Sequence, residues 1–212
     1  MKKTLFVFML MALSGKAFSQ ASDLKYGFRF ALGQSTFSND LGGTQDGRLA
    51  FNIGLATYVQ LADKFGVSAD LHLSSKGTRI NGQDTTNLGA KVDYLRTFRL
   101  FYAELPLLAR LTLPVKENIK FNLFVGPSIN FVVISATETK EGGTSNYDAK
   151  DIKNVKTVQY DAVFGASFNI LNSDKHMYFL DFRYNLPLTP VFVDNKQNIN
   201  ISYFSLGIGY LY

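Results

Sequence analysis

Met177-Tyr178-Phe179-Leu180-Asp181-Phe182-Arg183-Tyr184-Asn185-Leu186 sets the reading of the whole chain. Every even position in it is large and apolar. The odd positions include an acid, a base and an amide. A period of two marks a β-strand with unlike faces. One face suits oil, and the other carries groups that need polar partners when buried.

The same alternation spreads outward in both directions. Tyr26, Phe28, Phe30 and Leu32 alternate with Gly27, Arg29, Ala31 and Gly33. Leu49, Phe51, Ile53, Leu55, Val59 and Leu61 form a second series, with Tyr58 and Asn52 on the other parity. Further series run through Phe65–Ser74, Phe101–Leu113, Ile119–Val133, Val158–Ile170 and Phe204–Tyr212, so the pattern predicts eight strands. Helical periodicity is almost absent. In the last stretch the parity slips, from Ile199, Ile201 and Tyr203 to Phe204 and onward. A bulge near Tyr203, or the point where the strand leaves a membrane, accounts for such a slip.

The links are patterned too. Residues 62–64, 114–118 and 171–175 make connections of three to five residues. Residues 38–48, 77–95, 135–157 and 187–198 make connections of 11, 19, 23 and 12 residues. Short and long alternate, as in an up-and-down antiparallel barrel with all long loops at one end. Whether 135–157 holds an extra hairpin is open.

Volume decides which face is out. Some forty large apolar side chains lie on one parity, and an eight-stranded barrel is barely wide enough inside for ordinary side chains. The opposite parity is rich in Gly, Ala, Ser and Asn. The apolar face therefore looks outward, which only a bilayer tolerates at this extent. An open sheet is excluded because unpaired edges are costly in lipid. Rings recur where strands should cross the interfaces. Tyr26, Phe65, Phe121, Phe168, Tyr178 and Tyr210 fall near the short turns, and Phe51, Phe101, Phe131, Tyr160, Tyr184 and Phe204 near the loops.

The N-terminus reads as an export signal. Lys2 and Lys3 precede an apolar run of about ten residues, Thr4–Leu13, and small residues follow at Ala17 and Ser19. The run is too short to span a bilayer, which takes ~20 residues. Residues 1–19 are expected to be removed and 20–212 to form the barrel, in the outer membrane. Three of the 22 basic residues sit in that leader, which lowers the formal charge from +5 to +2. Nucleic acid is then a poor partner, since it asks for a clustered basic face. The chain has no cysteine and two histidines. Disulfides, thiolate metal sites and cysteine nucleophiles are excluded. No cofactor or metal site is expected.

The inward parity carries Arg29, Asp70, His72, Glu104, Arg110, Asp161, Asp181 and Arg183. They suit either an ion or proton path, or a packed lumen whose acids and bases neutralise one another. The second is favoured, because buried charges are rarely left unpaired. Glu104 is expected to pair across the lumen with Arg29, Arg183 or Arg99. A serine–histidine–acid site is weakly supported: Ser173, Asp174 and His176 read first as a turn, and His72 lies ~7 Å from Ser74 and Asp70 along its own strand. Glu141, Asp148 and Asp151 show no ordered calcium-loop pattern. Arg79, Lys91, Arg96 and Arg99 near the second outer loop suit either lipopolysaccharide phosphates or plain solvation, the latter favoured.

Two motifs carry a family resemblance. Ser205-Leu206-Gly207-Ile208-Gly209-Tyr210-Leu211-Tyr212 resembles the terminal-strand signal of outer-membrane barrels, with Ser205, Gly207, Tyr210 and Tyr212 at its defining positions. Tyr102-Ala103-Glu104-Leu105-Pro106-Leu107-Leu108 resembles a strand of the PorT-like outer-membrane β-barrel (porin) family, as do Gly126-Pro127 and Asp181-Phe182-Arg183-Tyr184. Leu105 stands where that family usually has Ile. The resemblance covers the whole mature chain and implies an outer-membrane barrel of about eight strands. It also implies contact with the barrel-assembly machinery, and for a few members a link to protein secretion. The expected protein is a monomeric, non-enzymatic envelope component touching membrane lipid and lipopolysaccharide. The alternatives are a narrow pore, a secretion accessory, or a lipid-modifying barrel enzyme.

Overall fold

The computed structural model describes residues 24–38, 44–85, 91–141, 144–148, 154–172, 176–192 and 199–212. The expected signal segment lies outside them, as do Asp151, Ser173 and Asp174. Ten strands run in chain order: β1 Leu24–Phe37, β2 Thr44–Ala62, β3 Phe65–Ala69, β4 Leu71–Thr85, β5 Lys91–Lys116, β6 Ile119–Glu141, β7 Thr144–Asp148, β8 Val158–Leu171, β9 Met177–Pro187 and β10 Ile201–Leu211. Every pairing between them is antiparallel.

The strands close into a ring of eight staves. β3 and β4 are two pieces of a single stave between β2 and β5, and β7 hangs outside the ring on β6. The seam joins β1 to β10, from Gly27 opposite Leu211 to Phe37 opposite Ile201. Tyr26 and Tyr212 exchange backbone hydrogen bonds at its lower end. Every stave thus has two neighbours, as lipid demands.

Burial follows the expected parity. Phe28, Leu49, Leu73, Val133, Phe168, Leu180 and Ile208 all look outward, at 45–70% exposure, while Arg29, Asn52, Ser74, Asn122, Asp181 and Ser205 are buried inside. Ring pairs mark both interfaces. Phe51 meets Phe101 at 6.4 Å near the long hairpins, and Phe121 meets Phe168 at 5.0 Å near the short turns.

Two details differ from the sequence reading, and two alternatives left open by it are decided. The 77–95 connection is mostly strand, since β4 runs to Thr85 and β5 starts at Lys91. The 135–157 connection holds an extra hairpin, with Thr137–Glu141 paired to Thr144–Asp148. Backbone pairing simply continues past the lipid, where side-chain parity no longer signals it. No bulge occurs at Tyr203, where register passes unbroken from Ser35↔Tyr203 to Gln34↔Phe204. Instead Ile199, Ile201 and Tyr203 turn inward and are buried. Val59, assigned to the outward series, is 3% exposed. It sits opposite Val67 next to a register shift at Gln60/Ala62.

Candidate functional site

The chemistry-bearing residues meet inside the ring. Pro106 explains part of their arrangement. A proline accepts but cannot donate a ladder hydrogen bond. The stave facing it breaks at Asp70, whose N–H donates to the Pro106 carbonyl at 3.1 Å. Side chains repair the other edge of the break. The Thr57 N–H donates to Asp70 Oδ1 at 3.1 Å, and the Thr57 hydroxyl donates to the Ala69 carbonyl at 2.5 Å. The break leaves Asp70 Oδ2 facing the lumen, 2.9 Å from Arg183 Nη1.

From there the charges form a lattice. Asp181 accepts from Arg29 on two sides, Nε at 2.9 Å and Nη2 at 2.8 Å, and from Arg183 Nε at 2.9 Å. Arg29 Nη1 also donates to Asn52 Oδ1 at 2.7 Å, and Asn52 Nδ2 reaches Glu104 Oε2 at 3.4 Å. Glu104 does not pair with Arg29, Arg183 or Arg99. Its partner is Lys76, at 2.5 Å, with the Ser74 hydroxyl donating at 2.6 Å. Lys76 lies 3.5 Å from Asp161 as well, and over the rings of Tyr102 and Tyr203 at 5.3 and 5.1 Å. Arg99 turns outward and pairs with Glu138 at 2.6 Å.

Arg110 stands apart. It donates to Ser68 at 3.0 Å and lies 4.8 Å from the centre of the Phe124 ring and 5.8 Å from that of Tyr58. Aromatic faces stabilise a cation where no carboxylate reaches it. Among the described residues the buried lumen charges are Arg29, Lys76, Arg110 and Arg183 against Asp70, Glu104, Asp161 and Asp181, so the set is neutral. His72 completes it, with Nε2 3.8 Å from Asp70 and no hydrogen-bond partner.

Lys76 is the lumen residue that the sequence reading lacks. The signal was present, because His72, Ser74 and Lys76 share one parity. Ending the strand at Ser74 hid it.

Apolar layers flank the charges. At the long-hairpin end Phe37, Leu100, Tyr102, Val191, Ile199 and Ile201 pack together, with Val155 and Phe192 against them. Two inward-folded segments hold this layer in place. Val155 bridges Phe192, the Lys156 N–H donates to the Val191 carbonyl at 2.8 Å, and the Val191 N–H donates to the Ile199 carbonyl at 2.7 Å. At the short-turn end Ala56, Tyr58, Met177, Phe179 and Leu211 form a second layer. Among the described residues, one cavity between them has a volume of about 10 Å3 and is lined by Arg29, His72, Glu104, Arg183 and Tyr203 among others. That is room for one water at most.

The terminal motif has work inside the barrel. Ser205 Oγ accepts from Arg29 at 3.3 Å. A Cβ on Gly207 would come within 2.5 Å of Asp181 Oδ1 and 2.7 Å of Arg29 Nη2. At the short-turn end, away from the lumen, the Tyr210 ring stacks on His176 and shares a hydrogen bond with its Nδ1, while the exposed Tyr212 ring lies tilted against His176. Gly207→Ala is therefore expected to destabilise the folded barrel by about 1–3 kcal/mol, as overpacking does. Urea titration of the protein in vesicles checks this, read as loss of the compact gel band. An unchanged midpoint would mean that the Arg29–Asp181 pair shifts freely.

No cluster of three metal-ligating side chains occurs among the described residues. Asp148 and Glu141 belong to the outer hairpin.

A closed antiparallel ring, oily outside and polar within, defines an integral barrel of the outer membrane. The chain matches the model of the outer membrane protein beta-barrel domain over residues 18–193 and belongs to that family. Solved structures with a similar shape include Neisserial surface protein A, at 12% identity and TM-score 0.46, covering 87% of this chain and 95% of that one. OprG of Pseudomonas aeruginosa is similar at 12% identity and TM-score 0.47, with 91% and 96% covered. Ail, the attachment invasion locus protein of Yersinia pestis, follows at 12% identity and TM-score 0.38, with 89% and 98% covered. A search of curated proteins finds no match.

Proposed function

We propose that this chain is a non-enzymatic, non-conducting envelope barrel of the PorT-like kind, a monomer that works through its outer surface. The observation that carries the reading is the lumen. Four bases and four acids neutralise one another between two apolar layers, around a cavity of about 10 Å3. An ion path needs a continuous wet route, and a hydrolytic site needs room for a substrate. The PorT-like assignment rests on Tyr102-Ala103-Glu104-Leu105-Pro106-Leu107-Leu108. Its Tyr, Glu and Pro build the lumen: Tyr102 and Glu104 surround Lys76, and Pro106 sets the break at Asp70. Its partners are then outer-membrane lipid and lipopolysaccharide, with the assembly machinery reading Ser205, Gly207, Tyr210 and Tyr212 during insertion.

Planar-bilayer recording tests the reading. The purified protein is expected to give no steady unitary conductance. A stable conductance step that disappears in Lys76→Met or Glu104→Gln would replace this reading with the narrow pore.

A further inference from the structure

Outside the ring, just beyond the upper rim of the apolar belt, three arginines gather around one glycine. Gly77 of β4 lies opposite Arg99 of β5. The Arg48 guanidinium hangs over the same spot, where a Cβ on Gly77 would meet its Nη1 at 3.4 Å. Arg48 is held there by donation to Ser75 Oγ and to the Lys76 carbonyl, both at 3.2 Å. A register shift in β2 between Gly47 and Phe51 redirects its side chain. Arg79 lies two residues further along β4, exposed and opposite Thr97. Arg48 feels the positive charge of both Arg99 and Arg79.

Carboxylates do not balance this group. Glu138 pairs with Arg99 at 2.6 Å and is shared with Lys140 at 3.7 Å. Asp46 stands opposite Arg79, yet its carboxylate accepts from Asn81 at 2.6 Å. Arg48 and Arg79 have no ion pair among the described residues, and Arg99 Nε is buried without a hydrogen-bond partner. Like charges held together by a backbone register, with donors left over, call for an anion.

The height of the cluster says which anion. Ser75 is level with Phe51 and Phe101, whose rings pair at the top of the belt. Gly77 and Arg99 lie about 7 Å further along their strands. That is the headgroup layer of the outer leaflet. Guanidinium forks match phosphate oxygens in bidentate geometry.

We propose that Arg48, Arg79 and Arg99 clamp a phosphate of an anionic glycolipid in the outer leaflet, beside the buried Gly77. Arg48 joins the set anticipated from sequence, while Lys91 and Arg96 fall outside it. This inference deepens the proposed partnership with outer-membrane lipid and is independent of whether the lumen conducts.

The test uses the full folded chain in zwitterionic detergent. The probes are bisphosphorylated lipid A, its dephosphorylated counterpart, and inorganic phosphate as a competitor. The wild type is expected to retain the bisphosphorylated lipid about tenfold better than the dephosphorylated one. Arg48→Gln/Arg79→Gln/Arg99→Gln is expected to lose that preference, and rising salt to weaken it in the wild type. Equal retention of the two lipids by the wild type would overturn the proposal, as would an unchanged preference in the triple variant. Full displacement by millimolar inorganic phosphate would overturn the lipid assignment in favour of a free-anion site. If the triple variant loses its compact gel band, Arg79→Gln alone serves, because Arg79 is exposed. It is expected to weaken retention of the phosphorylated lipid severalfold. Conductance in the wild type would overturn the closed-lumen reading and leave this retention assay as it stands.

Discussion

Lys76→Met is expected to lower the stability of the folded barrel by about 3–5 kcal/mol, the usual loss when one member of a buried ion pair is removed. Lys76 is 1% exposed and touches two carboxylates, Glu104 and Asp161. Removing its ammonium leaves both acids facing each other in a space without bulk water. Methionine fills most of the lysine volume, so the loss reports charge rather than a void. Lys76→Met/Glu104→Gln should recover part of the stability, since a glutamine carbonyl still accepts from Ser74. The double variant should therefore lose less than the sum of the two single losses. Urea midpoints in lipid vesicles, read from the compact band on unheated gels, give all three values. A Lys76→Met midpoint equal to wild type would mean that water reaches the lattice.

The second large effect falls at Asp181, which binds two arginines at once. Asp181→Ala is also expected to cost about 3–5 kcal/mol. Arg183 would keep Asp70 at 2.9 Å, but Arg29 would keep only the neutral Asn52 and Ser205. Asp181→Asn should fall between wild type and alanine, because its carbonyl accepts a hydrogen bond but carries no charge. Arg29→Met/Asp181→Leu removes the pair and fills its volume. It should be more stable than Asp181→Ala alone, as replacing a buried pair by packed apolar groups often is. The same midpoint assay decides. If the double variant is the less stable of the two, the arginine contributes through its contacts with Asn52 and Ser205 and not through the ion pair.

Much of this was legible in the chain. Lipid on one side and a narrow polar lumen on the other give adjacent residues opposite environments. Met177–Leu186 and Tyr26–Gly33 therefore announce their faces directly. The eight staves, the outward rings and all eight anticipated lumen charges follow from that contrast. It fails where the contrast ends. Beyond the bilayer both strand faces meet water or protein, so β4 and β5 pair on without an alternating signature. Lys76 was lost at that boundary, and with it the partner of Glu104. The parity change at Ile199, Ile201 and Tyr203 marks the same boundary, the second of its two readings. Above the lipid, oily side chains turn to the barrel's own interior, and a change of parity there records a new inside rather than a slipped register. Pro106 is a different case. Its missing donor is visible in the sequence, but the break it causes lies in another strand, at Asp70.

The seam between β1 and β10 has a kinetic consequence. Its first pair, Gly27 and Leu211, comes from opposite ends of the chain. No partial ring is free of open edges, so a half-inserted intermediate would expose bare amides and carbonyls to hydrocarbon. The entropy of bringing such distant segments together must also be met before that contact forms, and topologies ruled by distant pairings are slow to form. Insertion should therefore wait on the arrival of the final strand, and it needs a surface that shelters both unpaired borders until then.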